Sequence, residues 1–218
     1  MNTRHNKILI ITGGKIEDDF LSDIVMNGNY TMIIAVDHGL YAADRLNIKL
    51  DYILGDFDSV DESLLEKYRS ISGIQAFPPE KDMTDTEIAI ELALKHNANS
   101  IDIVGATGSR LDHVIGNIHL LLLPTELNIR ACILDPNNKI YLKNKNFSIQ
   151  KQHQFGDYVS LLPYGDKVTG LTLTGFKYPL NHITYTAGSS LGISNVIIDE
   201  KAIIELSEGI LVVIESRD

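Results

Sequence analysis

The chain has no tryptophan, a single cysteine and no long apolar run, and each shortage narrows what it does. With Cys132 alone, no intrachain disulfide forms and a thiolate zinc cage is excluded. No hydrophobic stretch approaches the ~20 residues of a membrane-spanning helix. The segment Met1–Lys7 is short and polar, without the apolar core of a signal peptide. The expectation is a cytoplasmic protein with no membrane partner. Cations are scarce too: 19 Lys and Arg stand against 29 Asp and Glu, a net charge of −10. Duplex binding relies on basic side chains that neutralise phosphates, so this balance argues against nucleic acid and requires cations to mediate any anionic ligand. Gly13-Gly14 lacks both the spacing of a dinucleotide fingerprint and the lysine and serine of a P-loop.

What is present is the material for a folded core, with 218 residues and 44% hydrophobic content. Lys7 to Thr12 reads as a buried strand closed by Gly13-Gly14, after which Ile16, Phe20 and Ile24 recur at helical spacing. The rhythm repeats at Met32–Val36 with a helix near Leu40–Leu46, and at Tyr52–Leu54 with a helix through Leu64, Leu65 and Tyr68. It continues with a helix over Ile88–His96, a strand at Ile101–Gly105, a helix through Ile115, Ile118 and Leu122, and a strand at Ala131–Leu134. Alternating strand and helix predict a mostly parallel sheet with flanking helices. From Asp135-Pro136-Asn137-Asn138 onward the punctuation changes, and short apolar-polar alternation between glycines predicts an all-β sandwich. Candidate strands there are Tyr158–Leu162, Leu171–Thr174, Asn195–Asp199 and Ile210–Glu215. The expected organisation is an α/β catalytic domain over residues 1–143 and a β-sandwich domain over residues 144–218.

Ligands of an open parallel sheet bind at the carboxyl ends of its strands, and polar clusters fall at those ends. Asp37 follows the second strand, and Asp56 and Asp58 follow the third. Asp82 and Asp85 open a helix, and Arg110 with Asp112 follows a later strand. In an extended segment Asp56 and Asp58 point to the same side, half a site for a hard cation. Several carboxylates on one edge repel one another unless a divalent cation lies among them, which points to Mg²⁺ and phosphate. Lys81 and Arg110 then fit as phosphate ligands, one a point charge and the other a fork. Plainer readings stand beside these. Asp56 and Asp58 serve a turn, Ser59 and Thr84 cap helices in capping boxes, Asp85 meets a helix dipole, Lys81 is solvated and His113 is packed.

Taken together, the motifs resemble the thiamine pyrophosphokinase family over nearly the whole chain. Asp37-His38-Gly39 is similar to the family's aspartate-x-glycine turn, and Gly55-Asp56-Phe57-Asp58-Ser59 to its acidic signature. Lys81-Asp82-Met83-Thr84-Asp85 resembles a third motif and Gly105 to His113 a fourth. Lys177-Tyr178-Pro179-Leu180 and Gly192-Ile193-Ser194-Asn195 resemble family segments of the second half. Ser109 stands where the family has a second glycine, and Val196 where it has a glutamate.

The resemblance implies transfer of pyrophosphate from ATP to the hydroxyl of thiamine, with AMP leaving, in a homodimer whose active sites are shared between subunits. It assigns Asp56, Asp58 and Asp85 to Mg²⁺, and Lys81 and Arg110 to the polyphosphate. Asp37, Gly39, Ser59, Thr84, Thr107, Asp112 and His113 then line the nucleotide and hydroxyl pockets. Tyr178, Ser190, Ser194 and Asn195 hold thiamine. Its thiazolium favours an aromatic face, and without tryptophan a tyrosine or phenylalanine must supply it. Two other functions stay open. An aspartyl-nucleophile phosphatase also carries aspartate-x-aspartate after a strand, and a nucleotide sensor without turnover needs only the binding groups.

Overall fold

In a computed structural model, residues 6–55, 60–69, 73–76 and 82–218 are described. They group into two compact units, Met1–Leu120 with Asn128–Pro136, and Leu121–Leu127 with Asn137–Asp218.

The first unit runs β1 (Lys7–Ile11), α1 (Asp18–Gly28), β2 (Met32–Val36), α2 (Gly39–Arg45), β3 (Tyr52–Gly55) and α3 (Glu62–Arg69). It continues with β4 (Gly73–Ala76), α4 (Asp85–Lys95), β5 (Ser100–Val104), α5 (Leu111–Leu120) and β6 (Arg130–Leu134). These six strands are all parallel, in the order β4-β3-β2-β1-β5-β6. Ile8 to Ile11 and Ile101, Ile103 and Ile133 are fully buried, as expected of strands covered on both faces. The strand β4 has no counterpart among the strands anticipated from sequence.

One charge lies inside this apolar sheet. Asp102, in the middle of β5, is 2% exposed and takes Lys7 Nζ at 2.7 Å, the Tyr30 hydroxyl at 2.7 Å and Cys132 Sγ at 3.1 Å, with Arg130 at 3.4 Å. Burial pushes its pKa up, but the hydrogen bonds from Lys7, Cys132 and Tyr30 outweigh it and hold the carboxyl below its ordinary value. Burial and the Asp102 charge push the Tyr30 hydroxyl far up. The cluster ties β1, β5, β6 and the start of β2 at the amino edge of the sheet.

The second unit holds α6 (Leu122–Glu126), β7 (Asn138–Lys143), β8 (Phe147–Gln150), β9 (Tyr158–Pro163), β10 (Lys167–Thr174), β11 (Leu180–Thr186), β12 (Lys201–Glu205) and β13 (Leu211–Ser216). In one antiparallel sheet β13 lies between β7 and β9, and in the other the order is β11-β10-β12-β8. Leu161, Val213, Leu171 and Ile204 are fully buried, and Tyr185 of β11 is 1% exposed. The Tyr185 hydroxyl accepts from Gly192 N–H at 3.1 Å, and the Gly192 carbonyl accepts from Leu161 N–H at 2.8 Å. These bonds link the two sheets through one turn.

The strand expected over Asn195–Asp199 is not formed. Asn195 bridges Val159 while Ile197 bridges Phe176, so neighbouring residues pair with different segments and no ladder propagates. Among the described residues, no helix is long and apolar enough to cross a membrane.

Candidate functional site

The chain lays β1 to β4 outward in one direction and then returns to set β5 on the other side of β1. The topological switch point therefore lies between β1 and β5, where an open α/β sheet leaves a crevice at its carboxyl edge. The turns flanking it are knit together. Thr12 N–H donates to the Val104 carbonyl at 2.9 Å and Gly14 N–H to the Gly105 carbonyl at 2.8 Å. Gly105 has φ +72°, and a Cβ there would strike the Thr12 carbonyl oxygen, so both conformation and space demand glycine. One strand further, Asp37 follows β2 with φ +47° and donates its N–H to the Leu54 carbonyl at 3.0 Å. Its Oδ1 lies against Gly55, where φ is +150° and a Cβ would collide with it.

Asp56, Asp58, Ser59 and Lys81 lie outside the described residues. The structure places the other candidates of the first unit at the same carboxyl edge. Gly39 opens α2, Thr84 precedes α4, Asp85 sits in the first turn of α4, and Thr107, Arg110, Asp112 and His113 follow β5. The Thr84 hydroxyl accepts from Glu87 N–H at 3.3 Å, so it caps α4 as its sequence position suggests.

Thr84 also lines a cavity of about 300 Å³ together with Thr86, Asp112, His113, Gly116 and Asn117. Two motifs 28 residues apart, at Thr84 and Asp112, thereby share one concave surface. Thr86, Gly116 and Asn117 were not anticipated. The available signal was helical spacing: Gly116 and Asn117 lie four residues beyond Asp112 and His113, on the same face of α5. Asn117 also braces the turn after β5, donating Nδ2–H to the Ala106 carbonyl at 2.9 Å.

Arg110 grips Asp112 with both ends of its fork, Nε to Oδ1 at 3.2 Å and an Nη to Oδ2 at 2.6 Å. Asp112 Oδ1 also accepts from His113 N–H at 3.0 Å. The guanidinium beside it is the main cause that lowers the Asp112 carboxyl from 3.8 to about 2, and the pairing raises Arg110. Both side chains are exposed, so water screens the pair and an incoming anion competes for the guanidinium at little cost. Among the described residues no group of three or more His, Cys, Asp or Glu is placed to hold a metal ion.

In the second unit Tyr178 is 57% exposed, whereas Asn195 is 4% exposed. Lys177 Nζ stands 5.4 Å from the centre of the Tyr178 ring, so that ring already receives a cation. Ser190 and Ser194 are exposed, and Ser194 has φ +53° with its N–H donated to Ser160 Oγ at 3.0 Å. The structure joins Tyr178 and Asn195 directly through the Asn195 carboxamide, with Tyr178 N–H donating to Oδ1 at 3.0 Å.

Comparison with known proteins gives a match for each half of the chain. Residues 25–133 match the model of the thiamin pyrophosphokinase catalytic domain, and residues 145–211 match that of the thiamin pyrophosphokinase vitamin B1 binding domain. The thiamine pyrophosphokinase of Bacillus subtilis (strain 168) is 34% identical over 214 residues, spanning 97% of this chain and 99% of its own. The crystal structure of the Bacillus subtilis protein superposes with a TM-score of 0.85 over 98% of this chain and 100% of the other. That of the thiamin pyrophosphokinase from Geobacillus thermodenitrificans, 33% identical, gives 0.83 over 97% and 98%.

Proposed function

This chain belongs to the thiamin pyrophosphokinase family, and from that premise we propose that it transfers the diphosphate group of ATP to the hydroxyl of thiamine, releasing AMP. Membership makes it an enzyme that forms thiamine diphosphate, a transferase of the kinase type. Neither a phosphatase nor a silent nucleotide sensor finds support in the relatives. The observation that carries the reading is the knit set of turns at the switch point, where Gly105 and Asp37, both inside the span matched to the catalytic domain, face the turn after β1 and the end of β3.

The α/β domain, residues 1–143, takes ATP, and the β-sandwich domain, residues 144–218, supplies thiamine contacts and the dimer interface. Arg110 holds the polyphosphate by exchanging the Asp112 carboxylate for phosphate oxygens of like geometry. Lys81 adds a second cation. Asp112, released from Arg110, stays ionised and accepts from the thiamine hydroxyl, orienting it toward phosphorus. Asp37, Thr84, Thr107 and His113 line the pocket around these groups, and Asn117 keeps the turn at Ala106 from shifting. Transfer then rests on alignment and charge neutralisation, without a covalent enzyme intermediate.

A divalent cation fits the residues on this edge. Asp37 Oδ1 lies beside Gly55, the residue immediately before Asp56, and Asp85 opens α4 on the same edge. Carboxylate oxygens are the donors a hard cation takes. Asp56, Asp58 and Asp85 would hold Mg²⁺, which when bound neutralises polyphosphate charge. Tyr178, Ser190 and Ser194 contact thiamine in a homodimer whose sites draw on both subunits, and the protein acts in the cytoplasm.

Phosphorus NMR of protein mixed with ATP, Mg²⁺ and thiamine tests the reading. AMP and thiamine diphosphate are expected in equal amounts. Thiamine monophosphate with ADP would overturn the transfer, and AMP release without thiamine would mark a hydrolase.

A further inference from the structure

Asn195 was read from sequence as a thiamine ligand, yet it is one of the few polar side chains in the second unit that are almost wholly buried. Its Oδ1 accepts from Tyr178 N–H at 3.0 Å and from its own neighbour Val196 N–H at 2.9 Å. Its Nδ2 donates to the Tyr178 carbonyl at 2.8 Å. Its backbone is engaged as well, exchanging hydrogen bonds with Val159 of β9 at 2.8 and 3.0 Å. The carboxamide thus pairs with both main-chain groups of Tyr178 as a neighbouring strand would, while its own backbone is fixed to β9.

The consequence falls on Tyr178. It lies in a short connection between β10 and β11 and just before Pro179, which has no N–H to donate, so few other bonds fix its backbone. The residue is more than half exposed, and its ring carries a lysine ammonium 5.4 Å from its centre. A ring held out in water by buried main-chain bonds is a preorganised face for a cation. The residue beside this clamp, Ser194, has a left-handed backbone that serine rarely adopts, and its N–H donates to Ser160 Oγ at 3.0 Å.

We infer that Asn195 is a positioning residue that acts through Tyr178: it fixes the backbone from which the tyrosine ring meets the thiamine cation, and touches no substrate itself. The inference rests on the thiamine reading above and refines it. An amide is required because the site needs an acceptor for two N–H groups and a donor for one carbonyl. Aspartate keeps the first function and loses the second, whereas alanine loses both.

The test is a double-mutant cycle on thiamine KM, with ATP KM and kcat measured alongside. Tyr178→Ala and Asn195→Ala are each expected to raise thiamine KM by roughly tenfold and leave ATP KM unchanged, and the double variant to be no worse than either single one. Asn195→Asp should recover part of the loss. Independently of turnover, amide hydrogen exchange should show the Tyr178 and Val196 N–H groups protected in the parent and in Asn195→Asp, and unprotected in Asn195→Ala. If the two thiamine KM effects multiply, Asn195 acts on its own account and the inference fails. A lowered Tm with unchanged thiamine KM would make it a structural brace only, which also overturns the inference. Should Asn195→Ala not fold, Asn195→Asp carries the same cycle, with a smaller factor expected. Should the parent form no thiamine diphosphate, the functional reading falls. Tyrosine fluorescence on adding thiamine then judges the clamp, with a response in the parent that Asn195→Asp weakens supporting it and an identical response refuting it.

Discussion

Arg110 and Asp112 carry the most direct prediction at the level of single residues. Both were expected from sequence to meet the nucleotide, and the structure shows them meeting each other. Carbon-detected NMR titration of Asp112 should place its midpoint near 2, and Arg110→Ala should return it toward 3.8. Because the folded value lies below the ordinary one, the pairing favours the native state above about pH 3.9 and fades as pH falls through about 2. ATP should raise the midpoint if it draws Arg110 away. A second prediction concerns the acidic residues: Asp58→Asn and Asp85→Asn should each abolish turnover without unfolding the protein. Asp85 adds a favourable charge at the start of α4, so its removal costs no more than about 1 kcal/mol of stability. Near-normal product formation by either variant at saturating Mg²⁺ would refute the metal assignment. Thr84, Asp112 and His113 were legible because helix starts announce themselves locally. Thr86 was not, since only the meeting of α4 and α5 brings it into a common cavity, while Asn117 was signalled only by its helical spacing from His113. The burial of Asn195 was not legible, because it depends on pairing with Val159, 36 residues away.

Among the elements, the parallel strands were readable wherever an apolar run ended in a turn residue, as in β1, β2, β3 and β5. Among the strands that escaped, β11 and β12 are ones whose sequence hides their two faces. In β12 burial alternates strictly, yet Ile203 faces out at 38% exposure, so Ala202-Ile203-Ile204 shows no alternation of character. In β11 only Tyr185 is buried, and the rest offers little apolar signal. The run Ile101-Asp102-Ile103 was read as a strand despite its charge, and the cluster around Asp102 explains how the charge is tolerated. Lys7→Met removes its closest cation while leaving the carboxylate buried, and should destabilise the protein by roughly 3 kcal/mol at neutral pH. Since the Asp102 pKa is depressed in the fold, that difference should shrink as pH falls through the folded value, where the parent also loses the ion pair. Chemical denaturation of both proteins at neutral and acid pH measures it, and a loss independent of pH would point to packing instead. Thr84→Ala tests the cap of α4, with an expected cost of about 1 kcal/mol from the lost bond to Glu87 N–H.

At the scale of the whole molecule, the chain forms two compact units and matches two family domains, over residues 25–133 and 145–211. The first unit holds Asp37, Asp85, Asp112, Arg110 and the edge cavity; the second carries the exposed Tyr178 that the proposed function gives to thiamine. The proposed homodimer shares each site between subunits, and this makes inactive chains able to rescue one another. Asp58→Asn disables the phosphate half, and Tyr178→Ala disables the thiamine half at low thiamine. In a mixed dimer of the two, one site collects both defects and the other neither. Random reassociation of equal amounts yields about half mixed dimers, each with one working site of two, so about a quarter of parental activity should return. The quarter is expected only after dissociation and reassociation, not on simple mixing of preformed dimers. Sites confined to single subunits would leave every chain defective in its own site, and no activity above the average of the two unmixed variants would return although mixed dimers form. Native mass spectrometry of differently tagged chains counts those dimers, so failure to exchange subunits is distinguished from failure of the shared site.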